Sequence, residues 1–165
     1  MDYLEVSGAL FASDTFKNWQ KKNKKCYLAH FFAEFDQKLA PGHWQVGFYD
    51  KEKDTIATFF VEGEVTMHPS AEVFKDGGVV LELDTGEVKV TAAEGLEKAR
   101  FLQKKKYSPH SPIKGIIILQ HLDIGVVWNI TFITQAFAAL TVKVDARTGA
   151  IVRDHLVSLF DLKAQ

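Results

Sequence analysis

The side chains in this sequence that could do chemistry are histidines, one cysteine, closely set carboxylates, and lysines interleaved with aromatic rings. Their spacing limits what that chemistry can be. The triplet Asp84-Thr85-Gly86 is the one that aspartic proteases use, but that reaction needs two carboxylates sharing a proton in a buried site. Glu87 follows the triplet and Glu82 precedes it by two, which suits an exposed turn. The other similar segment, D-A-R-T-G at 145–149, has a different spacing and contains an arginine. The histidines at 30, 43, 68, 110, 121 and 155 show no H-x-H or H-x-x-x-H spacing that would pre-position two metal ligands. No metal and no cofactor is expected. Cys26 is the only cysteine, so no intrachain disulfide and no cysteine-based zinc motif can form. Set among Tyr27, Leu28 and Phe31 it reads as a small buried residue, with Lys24 and Lys25 as the feature that would activate it otherwise.

No G-x-S-x-G, P-loop or G-x-G-x-x-G is present. An enzyme would need a site assembled across the fold, with His43, His121 and Asp123 as the available groups. The clearest basic stretch is Lys17, Lys21, Lys22, Lys24 and Lys25, interleaved with Trp19 and Tyr27; Lys104, Lys105, Lys106 and Tyr107 form a second. Charge that holds phosphate beside rings that stack on bases is what single-stranded nucleic acid binding requires. Nucleic acid is therefore the alternative partner, against a plain solvated helix face.

The totals describe an ordinary soluble domain. The 165 residues are 47% hydrophobic and 25% charged, with 13 Phe and 3 Trp, enough for one compact domain over 1–165 with a well-filled core. A net charge of −1 gives no general reason to expect nucleic acid or a membrane surface as partner. The first residues carry acid where an export signal needs positive charge. The longest apolar runs fall far short of the roughly 20 residues that span a bilayer. A cytoplasmic location without a membrane partner is expected.

Ser13 or Asp14 can cap a helix starting near Thr15, with Phe16, Trp19, Tyr27, His30, Phe31, Phe35 and Leu39 at helical spacing and Pro41-Gly42 as its end. Strands follow at 44–49 and 55–61 around a charged turn, then a weaker pair over 65–74 with Pro69 marking an edge. The segments K-D-G-G and D-T-G-E read as turns around strands at 79–83 and 88–90. Thr91 and Glu94 make a capping box for a second helix with Leu96, Ala99 and Leu102 on its apolar face. After a loop at 107–112 comes a meander of strands at 114–122, 126–133, 138–144 and 150–152; 153–162 suits a strand or a short helix. The expectation is an α+β fold, antiparallel with helices packed on one face, read either as one block or as two similar ones, 13–90 and 91–165.

In D-A-R-T-G, Asp145 can accept from the turn's own amides and Gly149 can take the positive φ of a bulged hairpin, so turn geometry alone accounts for both. The surroundings say more. The capped helix around Ala93 to Ala99, Trp128 opening a strand, and then Val142, Val144, Asp145, Ala146, Thr148, Gly149 and Ile151 together resemble the PepSY domain over Thr91 to Val152. The loop at 105–115 and the strand after it are long for that family. The resemblance implies a helix laid against a small antiparallel sheet in a non-catalytic module that binds or restrains partners. The leading reading is thus a non-enzymatic module for a protein segment or small ligand, with Trp44, Tyr49, Trp128 and Phe132 as the contacts to look for.

Overall fold

The computed structural model describes residues 1–72 and 78–162. The chain opens with two short helices, α1 (Tyr3–Ala12) and α2 (Asp14–Lys22). Four strands follow: β1 (Tyr27–Phe35), β2 (Pro41–Asp50), β3 (Thr55–Glu62) and β4 (Glu64–Glu72). A 3-10 turn at Thr85–Glu87 precedes α3 (Ala92–Lys106). Then come β5 (Pro112–Leu122), β6 (Gly125–Thr134), β7 (Ala138–Asp145), β8 (Ile151–Ser158) and the single turn α4 (Leu159–Leu162). Among the described residues the strands form one eight-stranded sheet, β4-β3-β2-β1-β5-β6-β7-β8, antiparallel throughout. The α+β class with an antiparallel sheet is as the sequence indicates.

Helices α1 and α3 start with the same device. The Asp2 carboxylate accepts from the amides of Leu4 and Glu5 while Glu5 accepts from the Asp2 amide. Thr91 and Glu94 exchange the same bonds ahead of α3. Each box satisfies amides that a helix leaves orphaned in its first turn. The carbonyl just before each box is held by a buried indole: Trp44 Nε1 donates to Met1 O at 3.0 Å and Trp128 Nε1 to Val90 O at 2.8 Å. The two indole rings lie 6.3 Å apart. Ala33 pairs across from Trp44 and Leu119 from Trp128, and midway between them Phe32 pairs with Ile118 at the centre of the β1/β5 contact.

Three of the expectations turn out differently. The helix expected from Thr15 to Leu39 stops at Lys22, and Tyr27–Phe35 is β1. Phe16, Trp19, Tyr27, Phe31 and Phe35 satisfy a helical count. However, Ala29, Phe31, Ala33 and Phe35 are the buried residues of that stretch, which is a period of two, and Tyr and Phe favour a pleated surface. The strands expected at 79–83 and 88–90 do not form. Asp84 turns its carboxylate onto the Gly86 amide, and the arms on either side bond to different neighbours. Leu83 N donates to Leu28 O, whereas Lys89 N and Val90 N donate to Ala146 O. The expected weak strand pair over 65–74 is the one strand β4, with Pro69 on the sheet edge; its last expected residues, Val73 and Phe74, lie outside the described ones, as do Lys75 to Gly77 of the K-D-G-G turn.

The core joins Tyr3, Val6 and Leu10 of α1, Phe16 of α2, and Ala92, Leu96 and Ala99 of α3 with one set of alternate strand residues, from Phe59 and Val46 through Phe31 and Leu119 to Ile130 and Val142. Each large side chain so enclosed contributes about 1.5–3 kcal/mol.

Candidate functional site

Strand alternation decides which residues a partner can reach. Trp44, Trp128 and Phe132 fall on the enclosed side of the sheet, 1%, 0% and 0% exposed, within the core cluster. Tyr49 lies on the opposite side but is also closed, with its ring edge-on to Tyr27 and its hydroxyl bonded to Asp54. These four aromatics, taken from the sequence as contact residues, are therefore structural. The neighbours Gln45 and Asn129, one position along from Trp44 and Trp128, are half-buried.

The register of seven pairings sets those neighbours in a continuous row: Thr66, Phe60, Gln45, Phe32, Ile118, Asn129, Lys143 and Arg153, one from each strand. Thr66 and Arg153 at the two ends are exposed and the six between are half-buried. The row is apolar at Phe60, Phe32 and Ile118 and cationic at Lys143 and Arg153. Between the two halves, the Asn129 side-chain oxygen is enclosed without a donor. In the next row, His30 pairs with Gly47 and lays its imidazole over it: a Cβ on Gly47 would come within 2.4 Å of the ring. Burial drives the His30 pKa down to about 4. The sequence placed His30 on a helix; the structure puts it on β1 with a glycine cut out to receive it.

The basic-aromatic stretch is split by the fold. Lys17, Lys21, Lys22 and Lys24 are exposed, while Trp19 turns inward onto Phe16, Phe48 and Phe59, and Tyr27 bonds through its hydroxyl to Val80 O. Lys17 Nζ donates to the Ala12 carbonyl at the end of α1 and Lys25 pairs with Glu52. The rings needed for base stacking are thus not on the lysine surface. Cys26 borders a 260 Å3 hollow with Gln20, Lys21 and Lys24; burial, then the charge of Asp50, pushes its thiol pKa up rather than down.

The scattered polar groups stay scattered. Among the described residues no three His, Cys, Asp or Glu side chains gather to hold a metal ion. His43 pairs with Glu62 at 3.0 Å near the end of the sheet where Phe35 meets Gly115. His121 bonds Glu82 O near the opposite end of the same strands, next to Asp123 in the β5–β6 turn, so these three do not converge. The D-A-R-T-G loop behaves as turn chemistry requires. Burial works against ionising Asp145, but the amides of Thr148 and Arg147 outweigh it and lower its pKa. Gly149 has φ +76. Ala146 adds a role that its sequence context does not advertise, since its carbonyl receives both Lys89 N and Val90 N and so docks the loop under the start of α3.

A groove of about 400 Å3 runs along α3, lined by Leu39, Ala93, Leu96, Glu97, Arg100, Phe101 and Lys104. Sequence reasoning missed it because Leu39, in the β1–β2 loop, was read as the end of a helix.

No protein-family model matches the chain, and no curated protein does. Among solved structures it is similar to one assigned to a lipoprotein of Clostridium difficile 630, with a TM-score of 0.51 over 87% of this chain and 91% of that one at 12% sequence identity. The likeness is one of fold. Among the described residues no helix is long and apolar enough to cross a membrane.

Proposed function

We propose that the chain is a non-enzymatic, PepSY-like binding or regulatory module that recognises a protein segment on the uncovered face of its sheet. The helices α1 to α3 are taken to cover the other face, a reading supported by their inward residues sharing one core with Phe31, Val46, Leu119 and Val142. The same proposal holds the two halves to be similar blocks, each a capped helix clamped by an indole and followed by four antiparallel strands. The equivalent bonds of Trp44 and Trp128 support it. The single observation that carries the function is the row Phe60, Gln45, Phe32 and Ile118, a mainly apolar patch with one amide that half-emerges from the sheet and continues into Asn129, Lys143 and Arg153. Catalytic readings are set aside because His43, His121 and Asp123 stand apart. Residence in the cytoplasm belongs to the same proposal and is checked by fractionating the source cells.

The test is affinity capture from the source cell extract under nuclease, with wild type and with Phe32→Glu and Lys143→Glu variants whose circular dichroism matches. A protein captured by wild type and lost with either change supports the reading, and capture indifferent to both overturns it. Capture that disappears with nuclease and with Lys21→Gln/Lys22→Gln/Lys24→Gln favours the lysine surface of α2 and nucleic acid instead.

A further inference from the structure

The groove beside α3 is a second surface, independent of the sheet face. Ala93, Leu96 with Glu97, Arg100 with Phe101, and Lys104 recur every three or four residues, so they form one stripe along about 16 Å of helix at 1.5 Å per residue. Leu39 forms the opposite wall. It holds φ +56, a left-handed conformation that a bulky branched residue rarely takes, and its loop is fixed by Asp36, whose carboxylate accepts from Lys38 N and whose carbonyl accepts from Leu39 N. The floor is apolar, with Leu96 in the core and Leu39 packed on its margin. Phe101 stands 66% exposed at the rim.

The charges in this groove are out of balance. Lys106 is engaged by Asp154, which also accepts from the Tyr107 hydroxyl, so that lysine is tied to β8 and away from the groove. No such ion pair holds Arg100 among the described residues, and its Nη1 is enclosed and meets no acceptor among them. That nitrogen faces the protein interior, but Arg100 also lines the groove, where the rest of its planar fork can take a carboxylate in two parallel hydrogen bonds. Lys104 lies one turn beyond it on the same stripe, and among the described residues Glu97 is the one acidic lining residue. Apolar walls with a net cationic stripe fit an acidic, apolar peptide better than a basic or neutral one.

We infer that this groove takes a peptide segment of a partner protein, seating a leucine- or phenylalanine-sized side chain between Leu39 and Leu96 and bringing an adjacent carboxylate to Arg100 and Lys104. Neither element of that recognition uses the sheet face, so the two readings fail separately.

The experiment is selection of short random peptides displayed on phage against the full chain and, in parallel, against Arg100→Glu, with Arg100→Gln as a milder variant and thermal unfolding as the check on folding. Wild type should enrich peptides that place Leu, Ile or Phe within one helical turn of Asp or Glu. A synthetic peptide of the enriched sequence should lose at least about tenfold in affinity with Arg100→Glu. Exchange of its acid for lysine should restore binding to the Arg100→Glu chain, and Phe32→Glu should leave the wild-type interaction unchanged. Failure to enrich such peptides, enrichment of the same motif by Arg100→Glu, or a dimer in solution that Arg100→Glu separates would each overturn the inference, the last by making a second copy the occupant.

Discussion

His30 gives the sharpest test of the sheet face that carries it, because its protonation is tied to its position over Gly47. A ring with a pKa of about 4 in the folded chain and 6.5 when unfolded binds its proton in the unfolded state first as pH falls. The sign follows: above about pH 7 both states are neutral and His30 has no effect, whereas between 6.5 and about 4 the unfolded state gains a proton that the folded state lacks, so stability falls with pH. Integrating from about pH 7.5 to about pH 5 gives a loss of about 2 kcal/mol from this residue, and its partial exposure brings that to about 1–2 kcal/mol. The comparison is urea unfolding of wild type and His30→Phe at both pH values. Phenylalanine keeps a ring over the glycine but cannot titrate. Carboxylates with lowered pKa, Asp145 and Asp154 among them, contribute equally to both proteins and cancel in the difference. Wild type should therefore lose about 1–2 kcal/mol more than the variant on acidification. Equal losses would mean that the imidazole is hydrated, and that the face around Gly47 is more open than its geometry implies.

Gly115→Ala should be among the most damaging single changes, since its Cβ would sit 2.2 Å from the backbone oxygen of Thr131 in the partner strand. A loss of about 3 kcal/mol or an insoluble product is expected, read from urea midpoints and soluble yield. Gly149→Ala meets only ordinary contact with Val90, so its cost comes from φ +76 alone and should be about 1 kcal/mol in the same assay. Trp128→Phe should destabilise more than Trp44→Phe, by about 1 kcal/mol, because it strands the Val90 carbonyl whereas Met1 is 67% exposed and can turn to water.

Much of the second half was legible because its signals are local. Thr91 and Glu94 announce a helix start, and Asp145 and Gly149 a bulged hairpin, through bonds that span two to four residues. The same capping signal at Asp2 and Glu5 was equally readable and marks α1, which was passed over. β1 was misread because Tyr27, Phe31 and Phe35 suit both periods, and only its neighbours on each side select the strand. The proposed binding surface was illegible for a sharper reason. A shift of one residue moves a strand's whole set of side chains to the other face, so Trp128 and Asn129 exchange roles on a detail that composition does not record. The α3 groove depends on the meeting of residues 39 and 100, which no local pattern encodes.

The proposed recognition of a segment also constrains how that segment would lie on the sheet. Adding a strand at an edge is a recurring way for a sheet to take a peptide, but both edges here resist it. β4 carries Pro69, which lacks an amide to donate, and β8 presents Arg153, Asp154 and His155 in succession. The row from Thr66 to Arg153 runs instead across all eight strands, about 34 Å at the usual spacing of about 4.8 Å. A segment laid along it crosses the strands at a steep angle and finds no free backbone groups, so its recognition rests on side chains alone. Such a row has a direction. Phe60, Phe32 and Ile118 ask for apolar residues at one end, and Lys143 and Arg153 ask for acid at the other. About ten residues of extended chain would span it. A single reversal of sequence in a captured segment should therefore abolish binding that composition alone would preserve.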